Sequence, residues 1–298
     1  MKIKQNLKKM AKFLLNNIPA RSYTLESVTL APNEMLKNKT AIITGATGGI
    51  GLSICQAFLG AGANILITGR NSARLHNAYS ELAKQVDNPN QRIFFSVLDS
   101  KNVQNFEIFL SESLTKLKKQ NINSIDILVN NAGILGEENS IPKAKSNNFD
   151  EVISTNLKGV FFLSQTVANY MKDHGINGNI LNISSSSSIR PAASAYALSK
   201  WGIRGLTLGL AKSYAPYGIT VNAIAPGPTA TTMLLEDDNL IFKNNSPIGR
   251  YVLPQEIANM SVILTSPLGR TILGDTVFMT GGAGLLTLDD IDYSFYDQ

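Results

Sequence analysis

Thr44-Gly45-Ala46-Thr47-Gly48-Gly49-Ile50-Gly51 follows the β-branched run Ala41-Ile42-Ile43-Thr44 and opens a helical pattern over residues 50–59. Glycines at that junction allow a tight turn, and their missing side chains let a pyrophosphate approach the free N–H groups of a helix N-terminus. In isolation such a loop is a weak signal that fits any strand-to-helix turn. Standing between a strand and a helix at the head of a βα array, it points to dinucleotide binding. No Gly-Lys-Ser/Thr follows, so a P-loop is excluded.

Outward from this stretch, short apolar runs recur at residues 65–68, 93–97, 125–129, 179–183, 220–224 and 276–279. They are nearly continuous rather than alternating, as befits strands buried on both faces. Helical patterns lie between them at 72–85, 103–118, 149–172, 195–214 and 255–264. This alternation predicts an α/β fold: one doubly wound parallel sheet of about seven strands with helices on both faces.

Composition narrows the class. The chain has 298 residues, 44% hydrophobic and 16% charged, which argues against disorder. One cysteine forbids an intrachain disulfide, and with two histidines it leaves too few ligands for a structural zinc, so no metal is expected. No apolar stretch approaches the ~20 residues that span a bilayer. A reduced, cytoplasmic protein is the expectation. The net charge of +5 does not signal nucleic acid: Lys2, Lys4, Lys8, Lys9, Lys12 and Arg21 stand in the first 25 residues with no acid, leaving the rest one net negative charge.

Tyr196-Ala197-Leu198-Ser199-Lys200 places a phenol and an ammonium at i and i+4 on one helix face. A fixed cation there would lower the tyrosine pKa toward neutrality, which suits proton transfer. The pair alone is nearly uninformative and fits a surface tyrosine beside a solvated lysine. The glycine loop, Asn130-Asn131-Ala132-Gly133, Asn156, the serine run 184–188, Tyr196/Lys200 and Pro226-Gly227 together change that. In order and spacing they resemble the short-chain dehydrogenase/reductase family, in its single-domain type of about 250 residues and Rossmann fold, over residues 38–284.

The resemblance implies roles. Tyr196 would donate a proton to a substrate carbonyl, or accept it in the reverse direction. Lys200 would depress the Tyr196 pKa and bond the nicotinamide ribose, and Asn156 would hold a water in the relay to that lysine. Ser185 would polarise the substrate oxygen. The separation of Ser185 and Tyr196 is two positions shorter than in many members, so Ser184 and Ser186 stay open for that role. For the cofactor, the loop residues Gly45, Ala46, Thr47, Gly48, Gly49, Ile50 and Gly51 would meet the pyrophosphate. Asp99 would contact the adenine; Asn131, Ala132 and Gly133 would line the site. Pro226, Gly227, Thr229 and Thr231 would meet the nicotinamide end, with Tyr196 and Lys200.

Cofactor choice turns on the end of the second strand. A carboxylate there would bind a ribose 2′-hydroxyl and repel a 2′-phosphate. Here Gly69 occupies that place and Arg70 follows, a guanidinium able to grip phosphate bidentately. NADP(H) is therefore favoured over NAD(H), although Gly48 stands where NADP-preferring relatives often carry a basic residue. The implied activity is hydride transfer between this cofactor and a secondary alcohol or ketone, broadly of the 3-oxoacyl-carrier-protein reductase kind. Sugars, polyols and steroids remain open as substrates. A catalytically silent NADP(H) sensor or scaffold is the alternative, weighed down by the presence of all four catalytic positions. A sugar-nucleotide epimerase generally needs a longer C-terminal substrate domain.

Cys55 lies between Ile54 and Phe58 as a core residue. Without a Gly-x-Ser-x-Gly elbow, a serine hydrolase is disfavoured. Three segments are expected: a basic extension over 1–38, the oxidoreductase domain over 39–284 and an acidic tail over 285–298. Residues 232–251 correspond to the family's variable substrate lid and mix apolar and charged side chains. Ile3, Leu7, Met10, Leu14 and Ile18 recur at helical spacing among lysines. Such a helix can lie on an anionic membrane surface, but packing on the body or on a neighbouring subunit is favoured. The resemblance implies a homodimer or homotetramer built through helices 149–172 and 195–214.

Overall fold

In the computed structural model, the described residues are 31–86, 88, 91–137, 140–231 and 247–286. The helix expected over 1–18, residues 232–246 of the substrate segment and the acidic stretch 289–297 lie outside them.

Seven parallel strands form one sheet: β1 (Thr40–Thr44), β2 (Asn64–Gly69), β3 (Ile93–Val97), β4 (Ile127–Asn130), β5 (Asn179–Ile183), β6 (Thr220–Pro226) and β7 (Thr276–Met279). Their order is β3-β2-β1-β4-β5-β6-β7. The helices are α1 (Gly49–Gly60), α2 (Ser72–Ala83), α3 (Phe106–Lys118), α4 (Ser146–Ile153), α5 (Gly159–Asp173), α6 (Ala195–Tyr214) and α7 (Pro254–Thr265). The doubly wound architecture expected from the sequence is present.

The continuous apolar runs have a direct cause. Successive side chains of a strand point to opposite faces. Ala41 and Ile43 of β1, with Ile65 and Ile67 of β2, pack in one core layer with Ile54 and Phe58 of α1 and Leu75 of α2. The intervening Ile42 and Leu66 join the other layer, with Phe109 of α3, Val167 of α5 and Leu210 of α6. Both faces are dry, so both parities of each strand are apolar. Cys55 is fully buried in the first layer, and burial pushes its thiol pKa up, which makes it inert.

Three local departures from the sequence reading have physical reasons. β4 begins at Ile127, not 125: the Asp126 carboxylate accepts the Thr40 N–H at 3.0 Å and the Lys39 ammonium at 3.2 Å, tying together the starts of β1 and β4. The helix expected over 149–172 is split by a π-turn, Ser154–Lys158, which carries Asn156. The folded body also starts ahead of Lys39, because Leu36 is fully buried and its N–H bonds the Ala61 carbonyl at 2.8 Å.

Candidate active site

β1 pairs with β2 on one side and β4 on the other. The chain leaves these strands toward opposite faces, and a cavity of about 390 Å³ opens at their C-terminal ends.

The glycine loop forms one wall. Gly45 takes φ +64°, and a Cβ at Gly51 would stand 2.2 Å from the Gly45 carbonyl oxygen. Both positions therefore demand glycine. The N-cap of α1 is Gly48, which offers no side-chain cap, so the first-turn N–H groups beside the cavity lack that partner. Thr47, Gly48, Gly49 and Ile50 line the cavity; Ala46 and Gly51 are buried and are not on its wall.

Asn131, Ala132 and Gly133, which follow β4, form the facing wall. The Thr44 hydroxyl accepts the N–H groups of Asn131 and Ala132, each at 3.0 Å, and the Asn131 amide donates to the Thr44 and Gly45 carbonyls, also at 3.0 Å. These bonds lock the two loops together. Asn156 is 1% exposed and brackets Ile134: its Oδ1 accepts the Ile134 N–H and its Nδ2 donates to the Ile134 carbonyl, both at 2.8 Å. It braces the wall from behind.

Ser194 caps α6 by accepting the Ala197 N–H at 3.1 Å, and the next turns carry Tyr196 and Lys200 into the cavity. The Lys200 ammonium sits 5.4 Å from the Tyr196 ring centre. Burial lowers the Lys200 pKa to about 8. It also pushes the Tyr196 pKa up, opposed by a hydrogen bond with Ser185. The lowering of Tyr196 expected from the i, i+4 spacing is thus absent in the protein alone. Desolvation penalises phenolate and ammonium alike, and for Tyr196 it outweighs the hydrogen bond from Ser185.

Among the serines, Ser185 stands beside Tyr196. Ser184 also reaches the wall, but its hydroxyl donates to the Lys200 carbonyl at 3.2 Å. Ser186 is buried and is not on the wall. At the end of β6 and just past it, Pro226, Gly227, Thr229 and Thr231 line the same cavity, and Thr231 packs against Gly49. At the other end stand Arg70 and Asp99.

Residues 39–239 match the short chain dehydrogenase family. The chain belongs to this family. A 3alpha-hydroxysteroid dehydrogenase of Mediterraneibacter gnavus is 33% identical over 84% of this chain and 98% of its own length. A 3-oxoacyl-[acyl-carrier-protein] reductase of Chlamydia trachomatis is 36% identical over 83% of this chain and 98% of its own. Among solved structures, a short chain dehydrogenase from Burkholderia cenocepacia in complex with NADP superposes with TM-score 0.72 at 27% identity, covering 84% of this chain and 99% of that one. This short-chain dehydrogenase is accordingly an oxidoreductase of CH–OH groups that uses a nicotinamide cofactor.

The residues present fit such a cofactor: an uncapped helix N-terminus and glycines too close to neighbours for side chains border one continuous cavity. Sequence reasoning missed Asn71, Arg74, Ser100, Ile134 and Thr155 on its wall. Arg74 alone left a trace, a second arginine four residues after Arg70; the others are set by how loops from different strands fall together. Among the described residues, no helix is long and apolar enough to cross a membrane.

Proposed function

We propose that this short-chain dehydrogenase interconverts a ketone and a secondary alcohol with NADP(H), using Tyr196 as general acid and base. The observation that carries the reading is the meeting of Tyr196, Ser185 and Lys200 on the wall that also holds the open α1 N-terminus and Arg70. The bound nicotinamide supplies the hydride for reduction. The protein supplies the proton and the electrostatics.

In reduction, the Tyr196 hydroxyl donates its proton to the carbonyl oxygen. Burial keeps that phenol protonated at neutral pH, the state a donor requires. The Ser185 hydroxyl donates a hydrogen bond to the same oxygen and offsets the negative charge that develops there. Lys200, still charged below about pH 8, would hold the ribose hydroxyls of the bound cofactor and replenish the proton. Asn156 keeps the Gly133–Ile134 backbone in place beside Lys200. In oxidation the proton path reverses. Asp99 would hold the adenine, the walls around Gly45 and Ala132 the pyrophosphate, and Thr229 and Thr231 the nicotinamide end.

Arg70 lines the cavity just past the end of β2 and supports the 2′-phosphate preference, as does the NADP complex of the Burkholderia relative. The named relatives are a hydroxysteroid dehydrogenase and a 3-oxoacyl-[acyl-carrier-protein] reductase, whose unrelated substrate frames share the secondary alcohol or ketone. That shared group is the proposed substrate class. Phe161 and Phe162 of α5 and Leu198, Trp201 and Leu208 of α6 are exposed in the single chain, which supports assembly of copies through these two helices. A monomer at micromolar concentration in sedimentation velocity would remove that assembly.

The central test is Tyr196→Phe. The variant should fold and bind NADPH, while turnover of a ketone panel falls ~10²-fold or more. Turnover within a few-fold of the native value would sink the proton-transfer role.

A further inference from the structure

Gly48 stands on the cavity wall with no side chain. Its backbone is extended, with φ 165° and ψ 176°, a conformation open to any residue. A Cβ added there would meet nothing nearer than 3.8 Å, so neither backbone nor space requires glycine at this position. The one atom it would meet is Nη2 of Arg74. The guanidinium of Arg74 therefore stands where a basic side chain at residue 48 would project. It arrives from another element, the first turn of α2, whose start is fixed by Asn71 accepting the Arg74 N–H at 2.9 Å.

Arg70 and Arg74 both border the cavity. Their surroundings differ. Glu151 lies 3.9 Å from Arg70 and 3.4 Å from Lys101, so Arg70 already faces a carboxylate. Among the described residues no carboxylate pairs with Arg74. Two exposed guanidiniums on one cavity wall, Arg70 just past β2 and Arg74 in the first turn of α2, offer a phosphate dianion two donors, and the weak exposed Arg70–Glu151 pair yields readily to it.

We propose that Arg74 is the second cation of the 2′-phosphate seat, filling from α2 the place that Gly48 leaves open in the loop. The inference rests on the NADP(H) reading above and adds a residue that none of the sequence motifs contains. It also explains why a glycine is compatible with a phosphate seat: a large side chain at residue 48 would compete with Arg74 for the same volume.

Titrating the purified full chain with NADPH and with NADH, followed by nicotinamide fluorescence, tests this without turnover. Arg74→Gln should weaken NADPH by about tenfold relative to NADH, the loss of one charge-assisted phosphate contact. Adding Gly48→Arg to that variant should return most of the NADPH affinity, because the new guanidinium enters the same space. An unchanged NADPH-to-NADH ratio in Arg74→Gln overturns the inference, as does equal weakening of both cofactors. A double variant no better than Arg74→Gln overturns the shared position. Native protein that binds NADH as tightly as NADPH removes the NADP(H) reading itself; native preference with a silent Arg74→Gln removes only the role of Arg74.

Discussion

The Lys200 ammonium donates to the carbonyl of Ile183 at 2.9 Å, so the last residue of β5 holds the cation that faces Tyr196. A second bond, from the Ser184 hydroxyl to the Lys200 carbonyl, ties the same helix to the same strand end. The tyrosine and its cation are thereby fixed to the sheet as well as to each other's helix face. The position of Lys200 is thus set by the strand it grips, and its protonation by how deeply that strand end is buried.

That burial gives a pH signature. Lys200 is charged below about pH 8 and neutral above it, while Tyr196 stays protonated across this window. The kcat/KM for the reduced cofactor, which reports groups of the free protein, should fall above that pH toward tenfold per unit. Profiles taken over roughly pH 6 to 10 for native protein and Lys200→Arg check this. The arginine variant stays charged, so its profile should lack the fall. A native profile flat through this range would count against a charged Lys200 in cofactor binding.

The serine register has its own measurement. On the proposed mechanism Ser185→Ala should lower kcat by ~10²-fold, by removing a hydrogen bond to the oxygen that gains charge. Ser184→Ala removes the bond to the Lys200 carbonyl and should lower stability by about 1 kcal/mol with a smaller effect on turnover. If Ser185→Ala keeps its activity while Ser184→Ala or Ser186→Ala loses it, the assignment moves to the neighbour.

Two glycines of the same loop should respond differently. In Gly51→Ala the new methyl group would meet the Gly45 carbonyl at 2.2 Å and the Asn131 amide at 2.5 Å. Overpacking of this kind costs about 1–3 kcal/mol, visible as a lowered thermal midpoint. Gly48→Ala meets nothing closer than 3.8 Å and should leave the midpoint near native. Equal midpoints for the two variants would contradict the packing described for the loop.

Acid stability should trace to Glu256. Its carboxylate takes a bidentate pair from Arg250, at 2.9 and 2.8 Å, and caps α7 by accepting the Leu253 N–H at 2.8 Å. These bonds depress its pKa from 4.5 to about 2. A depressed carboxyl contributes stability that is present above its unfolded pKa and lost as pH falls through the folded one. Urea unfolding of Glu256→Gln should therefore show its full deficit above about pH 5, narrowing toward native as the pH falls to 2. A deficit that does not change with pH would assign Glu256 no ionic role.

The sequence by itself determined the sheet and the motifs that line its C-terminal edge. Runs such as Ile65-Leu66-Ile67 are apolar at both parities because both faces of a doubly wound sheet are dry, and this shows in one dimension. The glycine loop, Arg70 and Tyr196/Lys200 were legible for a related reason. Each is a local arrangement, fixed by a turn or by one helix face.

Tertiary structure decided what joins residues far apart in the chain. The meeting of Arg74 with Gly48 depends on two loops that leave neighbouring strands, and no periodicity records it. The bracing of Ile134 by Asn156 depends on a π-turn that reads in sequence as plain helix. The direction of the Tyr196 pKa was likewise beyond the i, i+4 rule, because spacing reports the distance to Lys200 and carries nothing of the depth at which both groups lie. Depth is a property of the packed sheet end, where desolvation is the largest influence on both groups.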